Sequence, residues 1–188
     1  MPHRALARRK REGDEENDEG KDAAHPINMS IHVVLVNPEI HWNTGNAGRS
    51  CLAAGATLHL VEPLGFSLDE REVRRAGLDY WPHVDLRVWP SWEAFERELP
   101  RLGEPFFFST KAKRLVWDAE LPKDVVLVFG RETGGLPDEI HARYAERMLT
   151  MPIHSTHVRS LNLSTCVGIA LYETLRQHRV HDLPVDHG

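Results

Sequence analysis

The sequence predicts an α/β fold in which a mostly parallel sheet carries helices on both faces. From residue 30 onward, short apolar and β-branched runs alternate with stretches of helical periodicity. The strongest apolar runs are continuous, which is typical of parallel strands that are covered on both faces. A length of 188 residues suits one domain with a substantial core.

The first half of this alternation contains three predicted strands. Residues 31–36 (IHVVLV) form a buried strand, and residues 43–55 follow as a helix with an Asn/Thr start and a Gly stop. Residues 57–61 form the next strand, and residues 68–80 form a short polar helix or turn. Residues 84–89 alternate in hydrophobicity, as a strand nearer the edge of a sheet does.

The second half adds three more strands. Residues 91–99 form a helix capped by its first serine, and residues 105–109 and 124–130 are strongly apolar, buried strands. Residues 137–146 form a helix that begins with proline, a residue favoured in the first turn. Residues 148–153 form the last strand.

The longest helical pattern closes the chain after residue 162. Its apolar side recurs at helical spacing through Leu163, Val167, Ala170, Leu171, Thr174 and Leu175. Ile169 widens this side, so we expect the helix to be buried against its own sheet or against a partner subunit. Ser160 and Asn162 precede the helix, where their side chains can either cap it or hold a polar ligand.

The N-terminal segment differs in composition from the rest of the chain. Residues 1–28 contain a basic run followed by an acidic run, with few apolar residues. We predict a disordered charged tail there and a folded domain over residues 29–188. The basic run either contacts RNA phosphates or remains solvated. Because the formal net charge is −5, any RNA contact is expected from local patches and not from a generally basic surface.

The cysteines and the apolar segments bear on the compartment. Cys51 and Cys166 each lie within an apolar helical pattern, which favours core residues in a reducing compartment, the cytoplasm, over a disulfide. No apolar run approaches bilayer length, so no membrane span is expected. Two histidine pairs near the C-terminus lack the cysteines or carboxylates that would complete a metal site, and we predict no metal.

Polar loops, two of which contain glycine, follow four of the predicted strands. They are residues 37–46 (NPEIHWNTGN), 109–114 (STKAKR), 130–137 (GRETGGLP) and 154–162 (HSTHVRSLN). In sheets of this class, ligands bind at the carboxyl ends of the strands. The sequence therefore predicts that the four loops converge on one site.

The loops at 37–46 and 130–137 add candidate site residues to Ser160 and Asn162. In residues 128–137 (VFGRETGGLP), glycines surround Glu132, but the pattern matches neither a P-loop nor a GxGxxG dinucleotide site and taken alone could be a tight turn. In NTGNAGRS, Asn43, Asn46 and Arg49 lie near one face of a helix start. An arginine there can hold a phosphate through two hydrogen bonds.

Two basic clusters favour RNA as a partner. Arg74 and Arg75 precede Tyr80 and Trp81, and Lys111 begins a second cluster that follows the PFFFS strand. Basic side chains interleaved with aromatic rings suit an RNA strand, through phosphate pairing and base stacking. A solvated face, balanced by neighbouring carboxylates, explains the same pattern equally well.

Taken together, four ordered motifs resemble the SPOUT, or α/β-knot, superfamily of RNA methyltransferases. The resemblance covers residues 31 to about 177 through NPEIHWNTGNAGR, then LHLVEPLGF with RRAGLDYW, then FGRETGGLP, and finally MPI…RSLNLS…YETLRQ. The chain is most similar to the subfamily of tRNA 2'-O-methyltransferases that act on the wobble nucleotide. Two positions depart from the family pattern: Trp42 stands where proline is frequent, and Arg131 stands where proline or a small residue is frequent.

The resemblance implies a C-terminal trefoil knot and a set of site residues. The knotted loops would bind S-adenosyl-L-methionine through Phe108, Gly130, Met151 and Ser160. The residues implied in catalysis are Asn43, Arg49, Glu132, Ser160 and Asn162. Tyr172, together with Arg74, Arg75 and Lys111, is implied in RNA binding.

The expected function is methylation of the ribose at the wobble position, cytidine or modified uridine 34 of tRNA, by a homodimer that binds the anticodon stem-loop. Arg49 would fix the adjacent phosphate and stabilise the developing alkoxide, while Glu132 would hold Arg49 or nearby N–H groups. The alternatives are 2'-O-methylation of another tRNA or rRNA nucleotide, and a non-catalytic RNA-binding protein with the same fold.

Overall fold

The computed structural model describes residues 29–68 and 79–178, and its centre is a seven-stranded parallel sheet. The strands are β1 (Ser30–Val36), β2 (Thr57–Val61), β3 (Leu86–Trp89), β4 (Glu104–Phe108), β5 (Arg114–Leu115), β6 (Asp124–Phe129) and β7 (Met148–Thr150). Their order across the sheet is β3-β2-β1-β6-β4-β7-β5, and every pairing is parallel. The predicted α/β class with a mostly parallel sheet is therefore confirmed.

Helices connect the strands on both faces. The described helices are α1 (His41–Ala54), α2 (Trp92–Glu96), α3 (Leu99–Leu102), α4 (Asp138–Arg143) and α5 (Leu163–Gln177). Short 3-10 turns occupy Trp81–His83, Val116–Asp118 and Ala145–Arg147. No helix in the described part of the chain is long and apolar enough to cross a membrane.

The structure corrects several predicted boundaries. The predicted helix 91–99 is two short helices, because proline follows Leu99 at the start of α3 and the chain turns between them. The predicted strand 148–153 ends at Thr150, where the backbone leaves the sheet. Strand β5 was not predicted, since two residues carry no periodicity to detect.

Two further predicted elements differ from the structure at their first residue, and two predicted segments lie mostly or wholly outside the described residues. The predicted strand 84–89 begins only at Leu86. Most of the predicted polar segment 68–80, with Arg74 and Arg75, lies outside the described residues, as does the predicted tail 1–28. Helix α1 begins at His41, two residues earlier than predicted, and ends as predicted at Gly55, whose φ of 67° suits a residue without a Cβ.

The continuous apolar strands are explained by burial on both faces of the sheet. Val33 and Leu35 of β1 pack into the cluster under α1 and α5, whereas Val34 and Val36 pack into the cluster under α2 and α4. All four side chains are at most 1% exposed. A strand covered on both faces cannot show polar alternation, because neither of its faces meets water.

Helix α5 is buried within its own chain. Val167, Ala170 and Leu171 are fully buried in the cluster that also contains residues of α1. At its C-terminal end, Gln177 donates through Nε2 to the carbonyl of Ala119 and accepts at Oε1 from the N–H of Leu121. The wide apolar side of α5 is therefore buried against α1 and the sheet of its own chain. Its burial does not require a partner subunit.

A chain of buried imidazoles crosses three strands on one side of the sheet. The Trp89 indole N–H donates to Nδ1 of His59, 3.0 Å away, and Nε2 of His59 lies 3.0 Å from Nδ1 of His32. Nε2 of His32 lies 2.9 Å from the Ser30 hydroxyl. The indole contact leaves the His59 proton on Nε2, so both rings fit the chain as neutral imidazoles. Burial lowers the pKa of His59 to about 3, with His32 acting in the same direction.

We expect this chain of imidazoles to make the fold acid-sensitive. Because the pKa of His59 is lower in the folded state than its ordinary 6.5, its contribution is complete above about pH 6.5 and is lost as the pH falls. Between about pH 6.5 and 5, this residue alone should cost on the order of 1.5 kcal/mol of unfolding free energy. Urea denaturation of the wild type and His59→Gln at both pH values measures the difference. An equal loss in the two proteins would contradict the assignment.

Candidate active site

The candidate site is a cavity of about 440 Å³ at the carboxyl ends of β4, β6 and β7, beside the start of α1. Residues from all four of the predicted loops line it. Its apolar walls come from Ile40, Phe108, Phe129, Leu149, Met151, Ile153, Leu161 and Leu163. Its size falls in the range of pockets that enclose a small organic ligand, and its mixed lining suits a ligand with apolar and polar parts.

Glu132 connects the loop after β6 to the loop after β1. Its carboxylate accepts from the backbone N–H of Glu39 at 2.8 Å, from the N–H of Ile40 at 3.3 Å, and from Nδ2 of Asn43 at 2.8 Å. These donors lie at the beginning of α1, where backbone N–H groups lack partners within the helix. The carboxylate therefore holds the start of α1 against residues 130–137, the glycine loop.

Asn43 and Asn162 continue this connection to the last helix. Asn162 donates through Nδ2 to Oδ1 of Asn43 at 2.8 Å, although 119 positions separate the two residues. Its own Oδ1 accepts from the N–H groups of Ser164 and Thr165 at the beginning of α5. Asn162 thus serves as the cap of α5, as one of the two interpretations from sequence predicted, and also as a partner of Asn43.

The glycine loop depends on close backbone approach. A Cβ built on Gly130 would lie 2.1 Å from the carbonyl carbon of Gly135, a distance that no side chain can occupy. Gly135 itself has a φ of 66°, in the left-handed region, and its N–H donates to the carbonyl of Arg131. The turn between these glycines presents Glu132 towards α1 and leaves backbone along the cavity wall.

The structure brings most of the predicted site residues together. The predicted cofactor residues Phe108, Gly130, Met151 and Ser160 all line the cavity. So do the predicted catalytic residues Asn43, Glu132, Ser160 and Asn162. Ser160 lies on the exposed loop that precedes the α5 cap.

Arg49 is placed apart from this set. It is exposed on α1 and is not among the residues that line the cavity, and its guanidinium lies 4.4 Å from the ring centroid of Tyr80. Tyr80 is itself fixed by a hydrogen bond from its hydroxyl to the carbonyl of Gly45. Of the two partners suggested for Glu132, the structure shows the N–H groups, not Arg49.

The described residues predicted to bind RNA lie at the surface. Lys111 lines the rim of the cavity and is paired loosely with Asp138, with 3.9 Å between Nζ and Oδ1. Tyr172 is 54% exposed on α5.

Sequence reasoning missed Glu39 and Thr133. The Glu39 carboxylate accepts from the N–H and the hydroxyl of Thr133, at 3.1 and 2.9 Å, and adds a second connection between the loops after β1 and β6. The pair was detectable only as polar residues that directly follow two strong strands. Adjacent parallel strands bring such residues together, but the strand order has to be known first.

Two further titratable side chains, Cys166 and His141, line the cavity with shifted pKa values. Cys166 lines the wall, and burial raises the pKa of its thiol to about 11, so it is a neutral thiol near pH 7. His141 also lines the wall, beside the Ser109 hydroxyl, and burial lowers its pKa. Within residues 29–68 and 79–178, no group of three or more potential ligands is arranged to hold a metal ion.

We expect Asn162→Asp to separate the two contacts of this residue. Aspartate caps helices as well as asparagine does, so the unfolding free energy should change by less than about 1 kcal/mol. Aspartate has no Nδ2 donor, so one of its carboxylate oxygens would face Oδ1 of Asn43 without a hydrogen bond. The affinity of the cavity for its ligand should therefore fall. Thermal denaturation and calorimetric titration measure the two effects, with Asn162→Ala as the variant that loses both contacts. Unchanged affinity in Asn162→Asp would show that the contact with Asn43 is dispensable.

Comparison with known proteins finds similar sequences. The model of the SpoU rRNA Methylase family matches residues 30–172. A tRNA (cytidine(34)-2'-O)-methyltransferase from Burkholderia cenocepacia is 44% identical over 149 residues, which cover 78% of this chain and 95% of that protein.

Solved structures are similar in both fold and sequence. One that concerns the 2-OH methylation of C/U34 on tRNA is 44% identical, with a TM-score of 0.75, and the match covers 82% of this chain and 99% of that one. An AdoMet-bound rRNA methyltransferase from Sinorhizobium meliloti is 27% identical, with a TM-score of 0.68, over 78% of this chain and 56% of the other.

Proposed function

The chain belongs to the SpoU rRNA Methylase family, and we propose that it is an S-adenosyl-L-methionine-dependent tRNA 2'-O-methyltransferase that acts on nucleotide 34. The single observation that carries this proposal is the convergence of four loops on one cavity. Hydrogen bonds between these loops join residues as far as 119 positions apart in sequence. A relative named for cytidine 34 and a solved structure that concerns C/U34 are each 44% identical to this chain, which favours this nucleotide over other positions.

The residues of the cavity fit the cofactor. Backbone of the Gly130–Gly135 turn can meet its polar groups, while Phe108, Leu149, Met151 and Leu161 can cover its adenosine. When bound, the cofactor supplies a sulfonium-activated methyl group, and with it the difficult part of the chemistry. The half-buried carboxylate of Glu132 already accepts from three donors, so its role in this proposal is to fix the start of α1.

The remaining work of the protein is to position the ribose and to support its oxygen. A ribose hydroxyl is a weak nucleophile near neutral pH, so catalysis depends on orientation and on stabilising negative charge as it develops. Ser160 and Asn162 border the cavity where a ribose would enter. Arg49 is exposed on α1, six residues after Asn43, and its guanidinium, which lies over the Tyr80 ring, would take the phosphate next to that ribose.

The proposal includes the quaternary and topological features of the family. Leu52 and Tyr172 are exposed, by 37% and 54%, on the packed pair α1 and α5, which favours a homodimer through these helices. A C-terminal trefoil knot is supported by the return of α5 from β7 to the 119–121 segment. The free thiols of Cys51 and Cys166 agree with a cytoplasmic location.

Labelled cofactor and unmodified total tRNA test the proposal. We expect label in tRNA, mapped to the 2'-oxygen of nucleotide 34, and no label in a transcript that carries 2'-deoxyribose at that position alone. Label at another nucleotide would move the activity to a different tRNA or rRNA site. Cofactor binding without transfer to any RNA would favour a non-catalytic RNA-binding protein.

A further inference from the structure

Trp42 is the most exposed large apolar side chain in the described part of the protein. Its exposed fraction is 57%, compared with 47% for Trp117 and 8% for Trp92. One exposed apolar side chain is common at a protein surface, so the groups around Trp42 decide whether it is a binding feature.

The His41 ring lies beside Trp42, and Phe66 lies behind His41. The His41 ring centroid is 4.2 Å from that of Trp42, at an interplanar angle of 39°. The ring centroid of Phe66, from the loop after β2, lies 6.5 Å from the ring centroid of His41. His41 therefore lies against one side of the indole and is itself contacted by Phe66, while more than half of the Trp42 surface remains open to solvent. This arrangement is a supported aromatic platform.

The platform lies beside the cavity and beside Arg49. Ile40 and Asn43, which flank His41 and Trp42 in sequence, both line the cavity wall. On α1, Trp42 precedes Asn46 by four residues and Arg49 by seven, so the three side chains share one face of the helix. All three are exposed. An aromatic ring, an amide and a guanidinium in a row are suited to a base, a sugar edge and a phosphate of one strand.

We propose that Trp42, supported by His41 and Phe66, is the platform on which an unpaired base of the substrate RNA stacks at the mouth of the cavity. The inference rests on the proposed function, since it assumes an RNA strand with one ribose in the cavity. Stacking on the indole places that strand along the exposed face of α1, with its next phosphate towards Arg49. Because every base has a π-face, the platform contributes affinity and register with little base preference.

The test compares Trp42→Ala and Trp42→Phe with the matched control Trp117→Ala. The measurements are KM and kcat on an anticodon stem-loop, cofactor affinity by calorimetry, and molecular mass by sedimentation. For Trp42→Ala we expect KM for RNA to rise on the order of 10-fold to 100-fold, with kcat and cofactor affinity within about threefold of wild type. Trp42→Phe should recover most of the loss, and Trp117→Ala should behave as wild type.

A direct binding measurement separates failure of this inference from failure of the proposed function. Titration of the wild type and Trp42→Ala with a short single-stranded RNA should quench tryptophan fluorescence in the first protein and much less in the second. This signal requires no methyl transfer. Equal RNA affinity in the two proteins would overturn the platform while leaving the methyltransferase assignment intact. A lower molecular mass for Trp42→Ala with unchanged RNA affinity would assign the indole to contact with a second copy of the chain and would also overturn it.

Discussion

Arg49→Ala is expected to lower kcat for methyl transfer by at least on the order of 10²-fold, the usual effect of removing one group that stabilises a developing oxyanion. The guanidinium lies outside the cavity lining, so cofactor affinity should stay within about twofold of wild type. Its stacking on Tyr80 at 4.4 Å should make the structural cost small, about 0.5–1 kcal/mol for an exposed cation–π contact. Single-turnover assays and calorimetry measure the two effects separately.

Two further variants sharpen this result. Arg49→Lys keeps the positive charge but loses the two-pronged contact with a phosphate, so its rate should lie between those of wild type and Arg49→Ala. Arg97→Ala removes an exposed arginine that does not line the cavity and should leave the rate unchanged. Near-normal turnover in Arg49→Ala would remove Arg49 from the mechanism.

Glu132→Gln is expected to weaken both the fold of the site and its affinity for the cofactor. The carboxylate accepts at Oε1 from two donors and at Oε2 from a third. A glutamine amide has one oxygen, so in either orientation at least one N–H of the α1 start faces an NH₂ group. Hydrogen bonds to charged groups contribute about 1.5–3 kcal/mol, so the unfolding free energy should fall by about 2–3 kcal/mol. Denaturant titration and calorimetry measure the losses.

The control for this variant is Glu120→Gln, an exposed carboxylate that does not line the cavity. It should change neither stability nor affinity, since an exposed charge contributes little. If Glu132→Gln bound the cofactor as the wild type does and unfolded at the same denaturant concentration, the carboxylate would not be what holds α1 against the glycine loop. Glu39→Gln, which affects only the contact with Thr133, should give a smaller loss.

Local patterns predicted most of the secondary structure but not its breaks. The continuous run of β1 and the helical spacing of α5 are strong signals, and both elements occur as predicted. The prediction of one helix over residues 91–99 was wrong, because the mixture of polar and apolar residues continues across the turn between Glu96 and Leu99. Strand β5 failed because its two residues form a strand only through pairing with β7.

The sequence identified many of the residues of the candidate site but not the contacts between them. Asn43, Glu132 and Asn162 were identified through ordered motifs, and the structure places them in one hydrogen-bonded series. Glu39 was missed because its function depends on Thr133, 94 positions away. Local sequence patterns carry no information about a partner at that distance.

From the sequence alone came the alternation of strands and helices, the buried character of the strands and the family resemblance of the loops. The first two follow from propensity and periodicity, which act over a few residues, whereas the resemblance rests on four motifs that occur in the same order as in the family. Only the tertiary structure decided that Glu132 binds the start of α1, that Asn162 reaches Asn43, and that Arg49 lies over Tyr80 instead. The reason is that such contacts depend on the order of strands across the sheet, which brings distant loops together and which no local pattern encodes.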